Sequence, residues 1–160
     1  MTEGNPRTCR QGRQGFNLLE LVMVIAIMCI VAAIAVPRYA QASARYRIDV
    51  AARRIAQDLA LASRQARNAG ASRTVTFNAA GTQYTISDLA GLDRAAQGYQ
   101  VNLLAEPYCS RVDSANFGGD RTVVFNGFGQ ADSGGQVVLK SGDFTRTITL
   151  DAASGKATVQ

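Results

Sequence analysis

The chain contains no histidine. That excludes Ser-His-Asp and Cys-His nucleophile systems and every zinc site built on imidazole. Cysteine is scarce. Cys9 lies in a polar leader, Cys29 in an apolar segment and Cys109 in the soluble part, so no internal disulfide is expected, although an exported domain would permit one. A free Cys109 reads as a small buried hydrophobe. The acids Asp88, Asp93, Glu106, Asp113, Asp120, Asp132, Asp143 and Asp151 are scattered over turns without the spacing of a calcium loop. Gly127-x-Gly129 follows a strand but opens no helix, which makes it a turn rather than a dinucleotide site. No metal, no cofactor and no catalytic residue is expected, and catalysis by this chain is a poor reading.

What is present is a long hydrophobic run. Sixteen apolar residues extend from Leu21 to Val36. Counted from Phe16, a helix through this segment is about 31 Å long, close to the hydrocarbon thickness of a bilayer. Glu20 lies one turn inside it, where an ionised side chain costs roughly 2 to 3 kcal/mol unless it is partnered. One reading is a signal anchor whose Glu20 rests at the headgroup level. Another follows from Gly15, a small residue between the polar basic leader and the apolar run. Ordinary secretory signals are cut on the C-terminal side of a shorter apolar core. A cut between Gly15 and Phe16 instead keeps the membrane helix and creates an ammonium at Phe16 able to pair with Glu20 of the same or a neighbouring subunit.

Gly15, Phe16 and Glu20 resemble the type III signal of type IV prepilins and type II secretion pseudopilins. The resemblance implies cleavage after Gly15 by a prepilin peptidase and N-methylation of Phe16. Pro37 and Tyr39 also sit where these families carry a proline and a tyrosine, whereas Asn17 replaces the more usual threonine. Residues 1–15 are then a leader peptide, with Arg7, Arg10 and Arg13 against Glu3. Charge counting orients the helix poorly, because Arg38, Arg45, Arg47, Arg53 and Arg54 follow it. The resemblance implies a cytoplasmic leader, and long C-terminal domains translocate largely regardless of charge.

Residues 16–36 form the membrane segment in this reading, and residues 37–70 continue the helix on the periplasmic side. Pro37 is expected to kink the helix rather than end it, since strong helix formers flank it. Ile48, Ala52, Ile55, Leu59, Ala62, Ala66 and Ala69 alternate steps of four and three, which is one helix face. Gly70 is placed as the C-terminal cap. The other faces carry Arg38, Arg45, Arg47, Arg53, Arg54, Arg64 and Arg67 against Asp49 and Asp58. Such a charge run reads as a solvated face, with anionic headgroups or acidic filament neighbours as the alternatives.

From residue 71 to 160 the period becomes two. Strands are predicted over Arg73–Phe77, Gln83–Ser87, Tyr99–Leu103, Thr122–Phe125, Val137–Lys140, Thr145–Leu150 and Lys156–Val159, the first two joined by the turn at Asn78–Gly81. Leu104–Asp120 lacks a period and is expected to be a surface loop. The fold class is therefore α+β, a long N-terminal helix on a small, mainly antiparallel sheet or sandwich.

This half is similar to the soluble domain of the GspH/FimT family. The similarity is carried by Asp58-Leu59 with Ala66-Arg67, by Val123 to Gly129, by Val137-Val138-Leu139 and by Ile148 to Val159 with Gly155-Lys156. It implies a minor pseudopilin of a type II secretion system, anchored by a single span in a bacterial inner membrane with its C-terminal domain in the periplasm. The implied partners are other pseudopilins or pilins through the N-terminal helix, and the prepilin peptidase. Two alternatives stay open. One is a FimT-like minor pilin of a type IV pilus, and the other a membrane-anchored enzyme or binding module unrelated to pili. DNA binding is disfavoured: where FimT-like members carry Gly-Arg-x-Arg, this chain has Gly155-Lys156-Ala157-Thr158, and residues 74–160 hold six bases against eight acids.

Overall fold

The computed structural model describes residues 17–90 and 98–160. The chain divides into two units, Met1–Tyr39 and Ala40–Gln160. The described part of the first unit is helix. Helix α1 is assigned over Leu18–Ala69 with Pro37 inside it. It starts at Asn17, whose carbonyl accepts from the Leu21 N–H at 3.1 Å. Gly15 and Phe16, and with them the cleavage and methylation positions, lie outside the described residues.

Within the second unit, α1 ends as the glycine predicts. Gly70 adopts φ +58°. The Ala71 N–H donates back to the Ala66 carbonyl at 3.2 Å and the Gly70 N–H to that of Arg67 at 3.3 Å. This paired closure satisfies two orphan carbonyls of the last turn.

Eight strands follow. Strands β1 (Arg73–Phe77), β2 (Gln83–Ala90), β3 (Gly98–Asn102) and β5 (Thr122–Phe125) form one sheet in the order β3-β2-β1-β5. Strands β4 (Arg111–Phe117), β6 (Gly135–Ser141), β7 (Phe144–Leu150) and β8 (Ala157–Val159) form the second in the order β4-β6-β7-β8. Every pairing is antiparallel. One face of each sheet joins the buried stripe of α1 in a single core. Ile48, Ile55 and Leu59 meet Val75, Tyr84, Val123 and Phe125 from the first sheet and Leu139, Ile148 and Leu150 from the second. Full burial of each large aliphatic side chain contributes about 1.5 to 3 kcal/mol.

Strand β4 corrects the expected loop over Leu104–Asp120. Val112 pairs with Leu139 but Ser114 with Val138, so Asp113 is an extra residue in the strand. The bulge moves the buried positions to Val112, Ala115 and Phe117, three apart and then two. That step conceals the alternation by which a strand is recognised in sequence. Cys109 differs as well. It is half-buried at φ +40°, and its backbone serves the turn, the N–H donating to the Ala105 carbonyl and the carbonyl accepting from Ser141 Oγ. Cys29 and Cys109 are both free thiols.

Two substitutions separate packing from capping. Ile55→Ala, at a side chain with no exposure, should lower unfolding stability in detergent solution by about 2 to 5 kcal/mol. Gly70→Ala strains only the left-handed cap and should cost about 1 to 2 kcal/mol.

Candidate assembly site

The first part of the site is the start of α1. All side chains from Asn17 to Ala42 are exposed, including Leu18, Met23, Ile30 and Ile34. This stretch is long and apolar enough to cross a membrane. Glu20 stands in the first turn, where a carboxylate complements the helix dipole. Among the described residues it has no cationic partner. An exposed apolar surface of this size marks a contact surface for a membrane or another protein.

The second part is the set of contacts that seats the later turns of α1 in the β-rich unit. Asp58 occupies the buried face, three residues after Ile55, and is 5 % exposed. A carboxylate there is stable only if its lone pairs are satisfied. Arg54, one turn earlier, donates from Nε to Asp58 Oδ2 at 3.0 Å. Tyr84 of β2 donates its hydroxyl to the same oxygen at 2.5 Å. Arg54 Nη2 then donates to the hydroxyl of Tyr99 on β3 at 2.7 Å. One helix turn is thereby bonded to two neighbouring strands.

The protonation states follow from these positions. Burial, reinforced by the Asp58 charge and its hydrogen bond, pushes the Tyr84 phenol far above its ordinary value. Burial likewise pushes Tyr99 up to about 12, with Asp58 adding to the effect and Arg54 opposing it. For Arg54, burial disfavours the charged form, but the Asp58 carboxylate and the bonds to Asp58 and Tyr99 outweigh it and hold the guanidinium above its usual value. The Arg54 guanidinium and the Asp58 carboxylate are thus capped by two neutral phenols.

A second set of bonds lies one and a half turns further along. Ser63 donates its hydroxyl to the Gly129 carbonyl at 2.7 Å, and Arg67 Nη2 donates to Ser63 Oγ at 3.2 Å. A Cβ on Gly129 would lie 2.4 Å from Arg67 Nε, and one on Gly155 would lie 2.4 Å from the Gly129 carbonyl oxygen. The β5–β6 turn and the β7–β8 turn therefore close onto the end of α1 only because both positions lack a side chain. On its other flank, Arg146 of β7 donates to Asp49 at 2.6 Å, and Arg45 lies 4.7 Å from the centroid of Phe144. Both of these are half-exposed, and each contributes at most about 1 kcal/mol.

These contacts revise the picture of a uniformly solvated arginine face. Arg53 and Arg64 are exposed as expected, but Arg54 belongs to the buried network and Arg67 to the glycine junction. Asp49 and Asp58 are both consumed within the fold. Asp58, which the sequence places with Asp49 on the solvated faces, lies instead on the buried one. Tyr84 and Tyr99 were not distinguishable from ordinary strand aromatics, since their partners, Asp58 and Arg54, lie 26 and 45 positions away in the chain. Gly127-x-Gly129 is a turn, as the sequence indicates.

An exposed apolar helix with a single early carboxylate, continuous with a helix bonded into a two-sheet domain, defines a membrane-anchored subunit of the pilin type. The chain belongs to the GspH family: the family model described as type II transport protein GspH matches residues 51–154, more than half of its length. The fold is also that of the crystal structure of the type IV minor pilin FimU from Pseudomonas aeruginosa strain PAO1. That match has a TM-score of 0.52 at 16 % identity and covers 72 % of this chain and 88 % of the other. No curated protein sequence matches the chain.

Asp58→Ala leaves a half-buried guanidinium and a buried phenol without their acceptor, and should cost about 1 to 3 kcal/mol in an unfolding titration. Tyr84→Phe removes one donor and should cost about 1 to 2 kcal/mol. The pH dependence has a definite sign. Both phenols hold their protons above 10 in the folded state, so the unfolded chain ionises first. Their contribution is complete below pH 10 and is lost as pH rises towards 12. A melting curve taken at each pH should therefore fall over that window in the wild type and fall less in Tyr84→Phe.

Proposed function

We propose that this chain is a minor pseudopilin of a type II secretion system, a non-catalytic assembly component of the periplasmic pseudopilus. The observation that carries the reading is Glu20, one turn inside an exposed apolar helix without a cationic partner among the described residues. An ionised carboxylate in that setting needs a counter-charge. Cleavage after Gly15 would supply one as the ammonium of Phe16, on the same or an adjacent subunit, at charge-assisted hydrogen-bond strength. N-methylation leaves that ammonium charged. Residues 16–36 then span the inner membrane and the β-rich unit lies in the periplasm. Pro37 has no N–H for the Ala33 carbonyl, so it supplies a point at which the helix bends. Membership of the GspH family supports the secretion assignment.

A type IV pilus is the second reading, favoured by the fold shared with FimU. DNA uptake is not part of it, given one cation at Gly155-Lys156-Ala157-Thr158 and a net charge of six minus eight, or −2, over residues 74–160.

The experiment is the intact mass and N-terminal sequence of protein recovered from membranes, with and without a co-expressed prepilin peptidase. A peptidase-dependent N-terminus at Phe16 bearing one extra methyl is expected. An uncut Met1 or a cut after Val36 sinks the reading. Glu20→Ala should still be processed to Phe16 yet be absent from sheared filaments, whereas normal incorporation of that variant removes Glu20 from the mechanism.

A further inference from the structure

The turns of α1 that open the second unit carry an exposed face of basic and aromatic residues. Arg45, Tyr46 and Arg53 are all exposed, Tyr46 at 69 %. Tyr46 and Arg53 are seven residues apart, two turns, so they share one side of the helix, with Arg45 on the flank towards Phe144. The buried Ile48, Ala51 and Ile55 of the same turns lie on the opposite side. A solvated face needs charge but no ring. The acids of these turns are also in use, Asp49 accepting from Arg146 at 2.6 Å and Asp58 from Arg54 at 3.0 Å. Arg45 keeps its charge over the Phe144 ring, and neither Arg47 nor Arg53 has an acidic partner among the described residues. Exposed Asp143 precedes Phe144 and offsets one of these arginines. The face keeps an excess of positive charge.

The sequence sets this face beside the membrane segment. The pair Arg-Tyr occurs at positions 38–39, directly after the apolar run ends and Pro37 follows, and again at 45–46. In helix, the ten residues from Val36 to Tyr46 rise about 15 Å. That matches one headgroup layer, roughly 5 to 8 Å, together with one screening length of about 8 Å. Arg45 and Tyr46 are therefore within reach of a charged bilayer surface. Arg53 lies about 10 Å further along the helix and meets the surface when the helix leans on this side.

We infer that Arg45, Tyr46 and Arg53 form a contact site for anionic lipid headgroups, on which the second unit rests while the chain is held in its membrane. Guanidinium groups take phosphate oxygens in a two-pronged bond, and tyrosine favours the boundary where its ring is shielded and its hydroxyl is wet. Each cation close to an anionic leaflet strengthens the attraction roughly fivefold. An acidic protein would match the charge as well. The lipid is the better fit because the membrane segment already holds these turns near headgroup height, so the contact forms within one assembly rather than between free partners. The inference rests on the membrane anchor and not on the choice between secretion and pilus.

The chain has no tryptophan, so a single introduced one reports its own surroundings. Full-length Tyr46→Trp is placed in nanodiscs of phosphatidylcholine, or of phosphatidylcholine with an equal share of phosphatidylglycerol, each doped with a lipid bearing a nitroxide on its headgroup. Quenching should be at least about twofold stronger in the anionic discs. It should return to the neutral level in high salt, and also when Arg45→Gln and Arg53→Gln are combined with Tyr46→Trp. Asn68→Trp, exposed in the last turn, should be quenched equally in both discs. Equal quenching of Tyr46→Trp in the two lipids, or a difference that survives both Gln substitutions, overturns the contact. So does loss of the difference on adding millimolar glycerol phosphate or an equimolar polyglutamate peptide, which would assign the face to free phosphate or to an acidic protein. Ile30→Trp in discs of lipid brominated along its acyl chains separates the two ideas. Quenching there without charge dependence at position 46 removes only the headgroup contact, whereas no quenching there removes the membrane anchor itself.

Discussion

The buried Asp58 carboxylate is the constraint on which the soluble part depends. It lies on the face of α1 that must be apolar for the core to form, and burying it alone would cost more than neighbouring aliphatic contacts return. Its cost is offset only when Arg54, Tyr84 and Tyr99 arrive together. That requirement selects one rotation of the helix and one register against the first sheet. A slip of one residue in β2 would turn Tyr84 away from the core. Hydrophobic burial supplies most of the stability, but it is tolerant of sliding, and the hydrogen-bonded carboxylate is not.

A second consequence of the geometry concerns the glycine junction. Ser63, Arg67, Gly129 and Gly155 bring the end of α1 within backbone contact of two turns, one from each sheet. Helix and sheets are thus tied at two levels, Asp58 midway along the buried segment and Ser63 nearer its end.

The N-terminal half shows the opposite economy. Its apolar side chains make no core among the described residues, and Glu20 has no partner there. Nothing among the described residues covers this helix. The described residues therefore combine a part that completes its own interactions with an apolar part that is left exposed.

Much of this was legible in the sequence for identifiable reasons. Residues Leu21 to Val36 form an uninterrupted apolar run, and helical spacing from Ile48 to Ala66 marks a buried stripe, because both are local periodicities. Gly70 marks the helix end because few other residues adopt its φ without strain. Seven of the eight strands follow from period-two alternation or turn residues. Strand β4 does not, since the bulge at Asp113 breaks the alternation. The tyrosines on Asp58 and Arg54, the seat of Gly129 against Ser63 and Arg67, and the half-exposed turn at Cys109 were decided by tertiary structure alone. Each depends on segments distant in the chain meeting in space, and the burial of Asp58 belongs with them, since the local pattern sets it among the charges of a solvated face until two strands arrive to cover it.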